Sequence, residues 1–359
     1  MPKRPGFFQA ALLSYASRVT SSPAAWDTLA HREAEGEPQA VLPGGKRGEN
    51  ADKPTDIPAR GWKDILARVW DQIGKDRVVA VAAGVTFYAL LAIFPMITAL
   101  VSIYGFVADP NTINEHIKAM SLVLPGGALE VIAEQVTRIT QQPAGQLGFG
   151  LIAGLGVTLW SANAGMKAVF DALNVAYGED EKRSFIKLNF QSMTFTLLGI
   201  VSAITAMLAV VVLPPALEFL GVGTLVQWLI SVGRWPLLLL GLATALAVLY
   251  RYGPSRDEPQ WKWISPGATV AAIVWLIASL AFSFYAQNFG SYNETYGSLG
   301  AVIGFMTWIW LSVTTILVGA EINAEAEHQT EADTTKGPKK PLGQRGAKVA
   351  DAPAPSKAS

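Results

Sequence analysis

The sequence predicts an all-α fold: a polytopic membrane bundle of six transmembrane helices, with an interfacial helix before the first span and short external amphipathic helices. Three observations carry this. Five stretches hold no Asp, Glu, Lys or Arg, namely 78–108, 139–166, 188–217, 263–293 and 295–320, and a shorter one covers 235–250. A hydrocarbon core about 30 Å thick is crossed by about 20 helical residues, so each long stretch suffices. The chain is 51% hydrophobic and only 16% charged, where soluble domains carry about 25% charged residues. Finally, Lys and Arg alternate between loops, with 18 on one set (59–77, 161–187, 251–262, 321–359) and 3 on the other (108–146, 214–234, 290–298). Basic loops stay in the cytoplasm, so both termini are expected there.

Residues 1–58 are rich in Pro, Gly, Glu and Lys and lack a periodic apolar face. They are expected to be a disordered cytoplasmic tail. The apolar patch near the start is short and broken by Gln9, so no cleaved leader is expected. The membrane domain is expected over 59–327. It opens with Trp62, Ile65, Leu66, Val69, Trp70 and Ile73 on one helical face, interleaved with Lys63, Arg68 and Lys75. Such a helix lies at headgroup level or packs beneath the bundle.

Spans are expected near 79–103, 147–169, 193–213, 235–252, 264–289 and 299–320. Pro95 kinks the first. The fourth is set at Trp235 so that Arg234 stays at the interface, because a charge at mid-bilayer costs roughly 2.5–3.5 kcal/mol. Pro236 then falls in the first turn, where its missing N–H is harmless, and 216–232 becomes a separate short helix. The external loop 108–146 carries Ile113, Ile117, Met120 and Leu124, then Leu129, Ile132, Val136 and Ile139. These predict two short amphipathic helices. Residues 328–359 are expected to be a second disordered cytoplasmic tail.

Gly150 with Gly154, and Gly300 with Gly304, place small residues one turn apart. They permit close helix approach, within one chain or across a homo-oligomer seam. Polar residues at membrane depth mark candidate pathways. Asn163 and Lys167 end the second span, and Asp171 can pair with Lys167 one turn on. The basic-free segment 288–300 holds Asn293, Glu294 and Tyr296 and reads as an external turn or a re-entrant loop. Glu321 ends the sixth span and is expected to pair with Lys167, Lys187 or Arg251. With Arg234, these residues form the candidate polar pathway: Asn163, Lys167, Arg234, Asn293, Glu294, Tyr296 and Glu321.

Composition also excludes chemistry. There is no cysteine, and the three histidines, His31, His116 and His328, are far apart. Thiol catalysis and Cys-ligated zinc are excluded, and neither a metal nor a cofactor is expected. Net charge is zero, so no nucleic-acid partner is expected.

The run Ala82-Ala83-Gly84-Val85-Thr86-Phe87-Tyr88-Ala89-Leu90-Leu91-Ala92-Ile93-Phe94-Pro95 resembles the first-span signature of the YihY/BrkB family of bacterial inner-membrane proteins. Leu159-Trp160-Ser161-Ala162-Asn163-Ala164-Gly165-Met166, with Ala172-Leu173-Asn174-Val175-Ala176-Tyr177, resembles its second block. Pro266-Gly267-Ala268, the segment 288–300 and Gly319-Ala320-Glu321-Ile322-Asn323 resemble its closing block. The resemblance spans about 62–327 and implies six spans with cytoplasmic termini. It supplies no established reaction, although members have carried ribonuclease BN and virulence labels. Hydrolysis of a phosphodiester needs a metal cluster or a paired acid and base, and the sequence offers neither.

The expected function is that of an inner-membrane transporter or lipid/solute translocation factor of the cell envelope. Its partners would be membrane lipids and a lipid or small-molecule substrate. The alternative is a non-transporting membrane scaffold, and a membrane-embedded hydrolase ranks last.

Overall fold

A computed structural model describes residues 47–91, 144–207, 209, 217, 219, 223–288 and 298–354. A 3-10 turn at Pro54–Asp56 leads into α1, Ala59–Lys75. Then come α2, Val78–Leu91; α3, Ala144–Ala176; α4, Phe185–Met207; and α5, Thr224–Tyr252. The chain continues with α6, Trp261–Asn288; α7, Ser298–His328; and the single turn α8, Lys348–Asp351. Among the described residues there is no strand, only an isolated antiparallel bridge between Pro259 and Thr335.

Among the described residues, three helices contain stretches long and apolar enough to cross a membrane: Leu225–Tyr252, Trp261–Tyr285 and Val302–His328. Their outer faces are apolar, with Leu237, Leu280 and Phe284 each more than 60% exposed. A surface of this kind is stable only in hydrocarbon. Several hydroxyls within the helices bond to their own backbone, as in Thr86 to the Ala82 carbonyl and Thr315 to the Leu311 carbonyl, both 2.8 Å. That removes the cost of placing a donor in oil.

The centre of the bundle is α7, which packs on α1, α3, α6 and α8. Its contact with α6 is backbone-close. A Cβ on Gly267 would lie 2.0 Å from the Gly319 carbonyl oxygen, and one on Gly319 would lie 2.4 Å from the Tyr250 hydroxyl. Only glycine permits that approach, the small-residue logic of membrane helix packing. Around it Val78, Ala82, Leu173, Leu246, Ala271, Val313 and Leu317 form the main apolar core. A second cluster, Ile57, Ile65, Val69, Trp263, Ile322 and Ala326, seats α1 beneath the bundle.

Four expectations change. The predicted face of α1 divides: Ile65 and Val69 are buried, while Leu66 and Trp70 point outward. One side therefore packs on α6 and α7 and the other stays available to an interface. The helix expected as the fourth span, α5, does not begin at Trp235 but at Thr224, with Arg234 and Pro236 inside it. Its 28-residue apolar stretch is about 42 Å long at about 1.5 Å per residue. About 12 Å is therefore spare over a hydrocarbon core of about 30 Å, and Arg234 can sit near an interface without a break. An unbroken helix also avoids the orphaned amides that a break would leave in oil. Arg234 lies over the Trp235 ring, 5.4 Å from its centroid.

The tails also differ from a solvated coil where they are described. Residues 47–58 are folded against α1, with Ala51 and Ile57 buried. Residues 329–354 form a strap beneath the helices in which Thr330, Thr334, Thr335 and Arg345 are buried. Backbone bonds tie it down: Gln260 N–H to the Thr334 carbonyl, Lys336 N–H to Glu258, Asp257 N–H to Gly346 and Glu331 N–H to Glu49. The strap is held by polar groups of neighbouring loops. Low apolar content, which predicts disorder, does not register such a template. The external loop helices, Pro95 and the segment around Glu294 lie outside the described residues.

Candidate functional site

The last turns of α7 run Gly319-Ala320-Glu321-Ile322-Asn323-Ala324-Glu325-Ala326-Glu327, and from Ala320 to Glu327 every residue is buried. A helix end buried all round, yet carrying three acids, must account for each charge.

Glu327 is fully compensated. Arg256 donates to both its oxygens, at 3.2 and 2.6 Å, and both side chains are completely buried. The Thr334 hydroxyl adds a third bond at 2.7 Å. The guanidinium also lies 5.0 Å from the centroid of the Tyr177 ring. Burial opposes the Arg256 charge, but the Glu327 carboxylate outweighs it and pushes the guanidinium up. Burial, reinforced by Glu327, pushes the Tyr177 phenol well above its ordinary value. Glu325 is held by Arg68, whose Nε donates at 2.5 Å, while Arg68 also bonds the Glu325 carbonyl and Gln329.

Glu321 is different. It is 0% exposed, and among the described residues neither of its carboxyl oxygens accepts a hydrogen bond from an amide, hydroxyl or cation. Its neighbour is another acid: the Asp76 carboxyl, in the turn between α1 and α2, lies within hydrogen-bonding reach. Asp76 Oδ2 likewise has no other donor. Two carboxyls this close repel when both are charged, which favours a proton on one of them. Burial raises the Asp76 carboxyl above its usual range, although Gln72 and Glu321 bonds act against this. Asp76 is half-buried and Glu321 fully buried, so the pair runs from the water-facing turn into the helix bundle. Asn323 sits on the same stretch. Its Oδ1 accepts the Gly267 N–H at 2.8 Å, and its Nδ2 has no acceptor.

A second polar spot joins α3 to α4. Asn163, buried in α3, donates to Asn189 Oδ1 at 3.3 Å, and Lys167 donates to the same oxygen at 3.0 Å. The Asn163 Oδ1 has no donor, and Lys167 also lies over Trp160. Asn189 is fixed by its own bond to the Phe185 carbonyl.

The structure therefore joins Asn163 and Lys167 and places Glu321 in a separate acid pair. Glu321 does not meet Lys167, Lys187 or Arg251: Lys167 is bonded to Asn189, and Arg251 is bonded to Glu258 at 3.0 Å. Nor does Lys167 pair with Asp171, which is exposed. Helical spacing allowed that pair, but the Asn189 side-chain oxygen across the helix interface accepts a hydrogen bond from the Lys167 ammonium instead. Asn293, Glu294 and Tyr296 lie outside the described residues. Sequence reasoning missed Asp76, Asn189, Arg256 and Glu327. Asp76 sits between Lys75 and Arg77 and reads as one more surface charge. The signal for Glu325 and Glu327 was present, since they continue the helical register from Glu321 without a loop residue between. Among the described residues no cluster of His, Asp or Glu could hold a metal ion.

Comparison with known proteins extends this picture. The Bacillus subtilis (strain 168) protein named "Putative ribonuclease-like protein YfkH" is 32% identical over 268 residues, covering 73% of this chain and 93% of that protein. The UPF0761 membrane protein azo3165 of Azoarcus sp. (strain BH72) is 26% identical over 272 residues, 73% of this chain and 63% of the relative. A UPF0761 membrane protein of Psychrobacter sp. (strain PRwf-1) is 26% identical over 270 residues, 73% of this chain and 48% of the relative. The chain thus spans about half to two-thirds of those two membrane relatives' length. No solved structure matches. The family described as "Virulence factor BrkB" matches residues 69–343. That range takes in α2 to α7, the acid pair and most of the strap, and the chain is an integral membrane protein belonging to this family.

Proposed function

We propose that this chain is a six-span protein of the bacterial inner membrane, with both termini in the cytoplasm, that moves a lipid-like or small polar solute and uses a proton to do so. The observation that carries the reading is Glu321: a fully buried carboxyl without a hydrogen-bond donor, beside a half-buried acid, Asp76, in the turn that faces water. An ionisable group buried against another acid is expensive as structure alone. It is useful where a proton must be taken up and released, because each protonation state favours a different separation of α7 from the α1–α2 turn. Asn163 and Lys167, with Arg234, Asn293, Glu294 and Tyr296, are assigned to the polar pathway. In this reading the chain performs no hydrolysis.

The test uses proteoliposomes holding the full chain and a fluorescent short-chain phosphatidylglycerol, with an imposed pH gradient. Gradient-dependent lipid movement should occur with the wild type. It should fall to the protein-free rate in Glu321→Gln and in Asp76→Asn, each correctly folded. Movement that is equal with and without the gradient, or unchanged in both variants, would remove the acid pair from the mechanism. If neither lipid nor protons move, the transport reading fails.

A further inference from the structure

A second feature lies apart from the acid pair. Between the start of α4 and the segment after α5 is a cavity of about 390 Å³. Five basic residues line it, Lys182, Arg183, Lys187, Arg251 and Arg256, against two acids, Asp257 and Glu258. Most of these charges are already committed. Lys182 is paired with Glu179, Arg183 with Glu181, Arg251 with Glu258 and Arg256 with Glu327. The two acids are held from outside by strap lysines, Asp257 by Lys340 at 2.8 Å and Glu258 by Lys336 at 3.4 Å. Among the described residues, the Lys187 ammonium has neither an ion pair nor a hydrogen bond, so a positive charge is left over. Arg251 is 3% exposed, and its Nε–H has no acceptor.

The backbone adds to this. The cavity is lined by Ser184, the residue before α4, and by Lys187 and Gln191 on one face of its first turns. The first turn of that 23-residue helix contains no acid; the Ser184 hydroxyl accepts the Lys187 N–H at 3.4 Å, and the amide end keeps its partial positive charge. The walls are rigid. Gln191 bridges Arg183 and the Tyr252 carbonyl, and the Ser255 hydroxyl accepts the Lys182 N–H at 2.9 Å.

The face of α4 beside the cavity is apolar and open: Phe185, Ile186 and Phe190 are 73%, 80% and 76% exposed. Trp261, half exposed, packs edge-on to Tyr252, which lines the cavity. Aromatic side chains of this kind sit at the headgroup level of a bilayer. A basic, walled cavity that opens beside an aromatic and aliphatic surface suits a ligand with an anionic head and an apolar tail.

We propose that this cavity is a binding site for a phosphate group, delivered by an anionic phospholipid of the adjoining leaflet, with Lys187 and the α4 N-terminus as the main contacts. The site requires only that the chain sits in a membrane and is independent of transport. A phosphate carries the shared chemistry, and the phospholipid supplies the tail for Phe185, Ile186 and Phe190.

The test uses the full chain in detergent, stripped of native lipid, with native mass spectrometry reading bound lipid. Phosphatidylglycerol and phosphatidylcholine are added at equal concentration, and inorganic phosphate is a competitor. Wild type should retain phosphatidylglycerol over phosphatidylcholine. Lys187→Gln should reduce that retention about fivefold, the scale of one basic residue near an anionic surface. Lys53→Gln, an exposed lysine before α1 that pairs with Asp56, should leave it unchanged. Phe190→Ser should weaken phosphatidylglycerol without changing binding of inorganic phosphate. If inorganic phosphate binds as tightly as the lipid, and Phe190→Ser is silent, the source is a soluble phosphate. Equal retention of the two lipids together with no phosphate binding, or equal loss in Lys187→Gln and Lys53→Gln, would overturn the site. Because Lys187 is on the surface, the variant should keep the wild-type melting temperature.

Discussion

The guanidinium of Arg256 and the carboxylate of Glu327 meet at 2.6 Å with neither side chain exposed to solvent. The pair ties the segment after α5 to the last turn of α7, and Thr334 of the strap bonds the same carboxylate. Removing one partner strands the other charge in a desolvated site. Arg256→Met or Glu327→Gln should therefore cost about 3–5 kcal/mol, read as a lower melting temperature in detergent. Replacing both with apolar residues of similar size should cost clearly less than the sum of the single changes.

Glu321 should respond in the opposite way. Its carboxyl has no donor, whereas a glutamine amide could donate to Asp76 without a shared proton. Glu321→Gln is expected to match or exceed wild-type thermal stability. Glu321→Ala should lose about 1–3 kcal/mol by leaving a void and an unpaired Asp76. A destabilised Gln variant would show that the carboxyl has a donor in the folded protein.

At the α6–α7 crossing, a methyl on Gly319 would meet the Tyr250 hydroxyl at 2.4 Å and the Gly267 carbonyl at 2.8 Å. Tyr250 cannot simply rotate away, because it donates to the Ile316 carbonyl at 2.7 Å. Gly319→Ala should cost about 1–3 kcal/mol by overpacking. Gly304→Ala, with nothing within 4 Å, should be neutral. Paired melts of the two variants check this.

The loop after α3 carries a pH signature. Burial alone would raise the Glu181 carboxyl, but bonds from Arg183 and Asn174, with the Arg183 charge, pull it from 4.5 down to about 2. A lowered folded-state value means that the stabilisation is complete above the unfolded value and is lost as pH falls from about 4.5 towards about 2. Hydrogen exchange at residues 177–184 should rise across that window in wild type and lose its pH dependence in Glu181→Gln.

Arg345 organises the strap. Its guanidinium donates to the carbonyls of Glu331, Ala332, Lys340 and Ala350. Arg345→Ala would orphan several buried acceptors, each worth about 1–3 kcal/mol. Limited proteolysis should then cut within 329–354, with the helices left intact.

The sequence by itself determined that oil is the solvent for most of this chain, that the elements are helices, and where α6 and α7 begin. Hydrophobic runs and their length decide those things locally, because every amide in a bilayer must find its partner within its own segment. It also marked Asn163, Lys167 and Glu321 as polar residues at unusual depth. Only the tertiary structure decided what they meet. Lys167 was drawn to Asn189 on another helix, not to Asp171 on its own, and Glu321 to an acid in a distant turn, not to a base. The strap shows the same limit. Its composition lacks the apolar side chains that signal folding, and its order comes from hydrogen-bonding groups on loops far away in sequence. Periodicity reports how a segment buries its own surface. It carries no information about which distant partner completes a charge, and that pairing sets the candidate chemistry here.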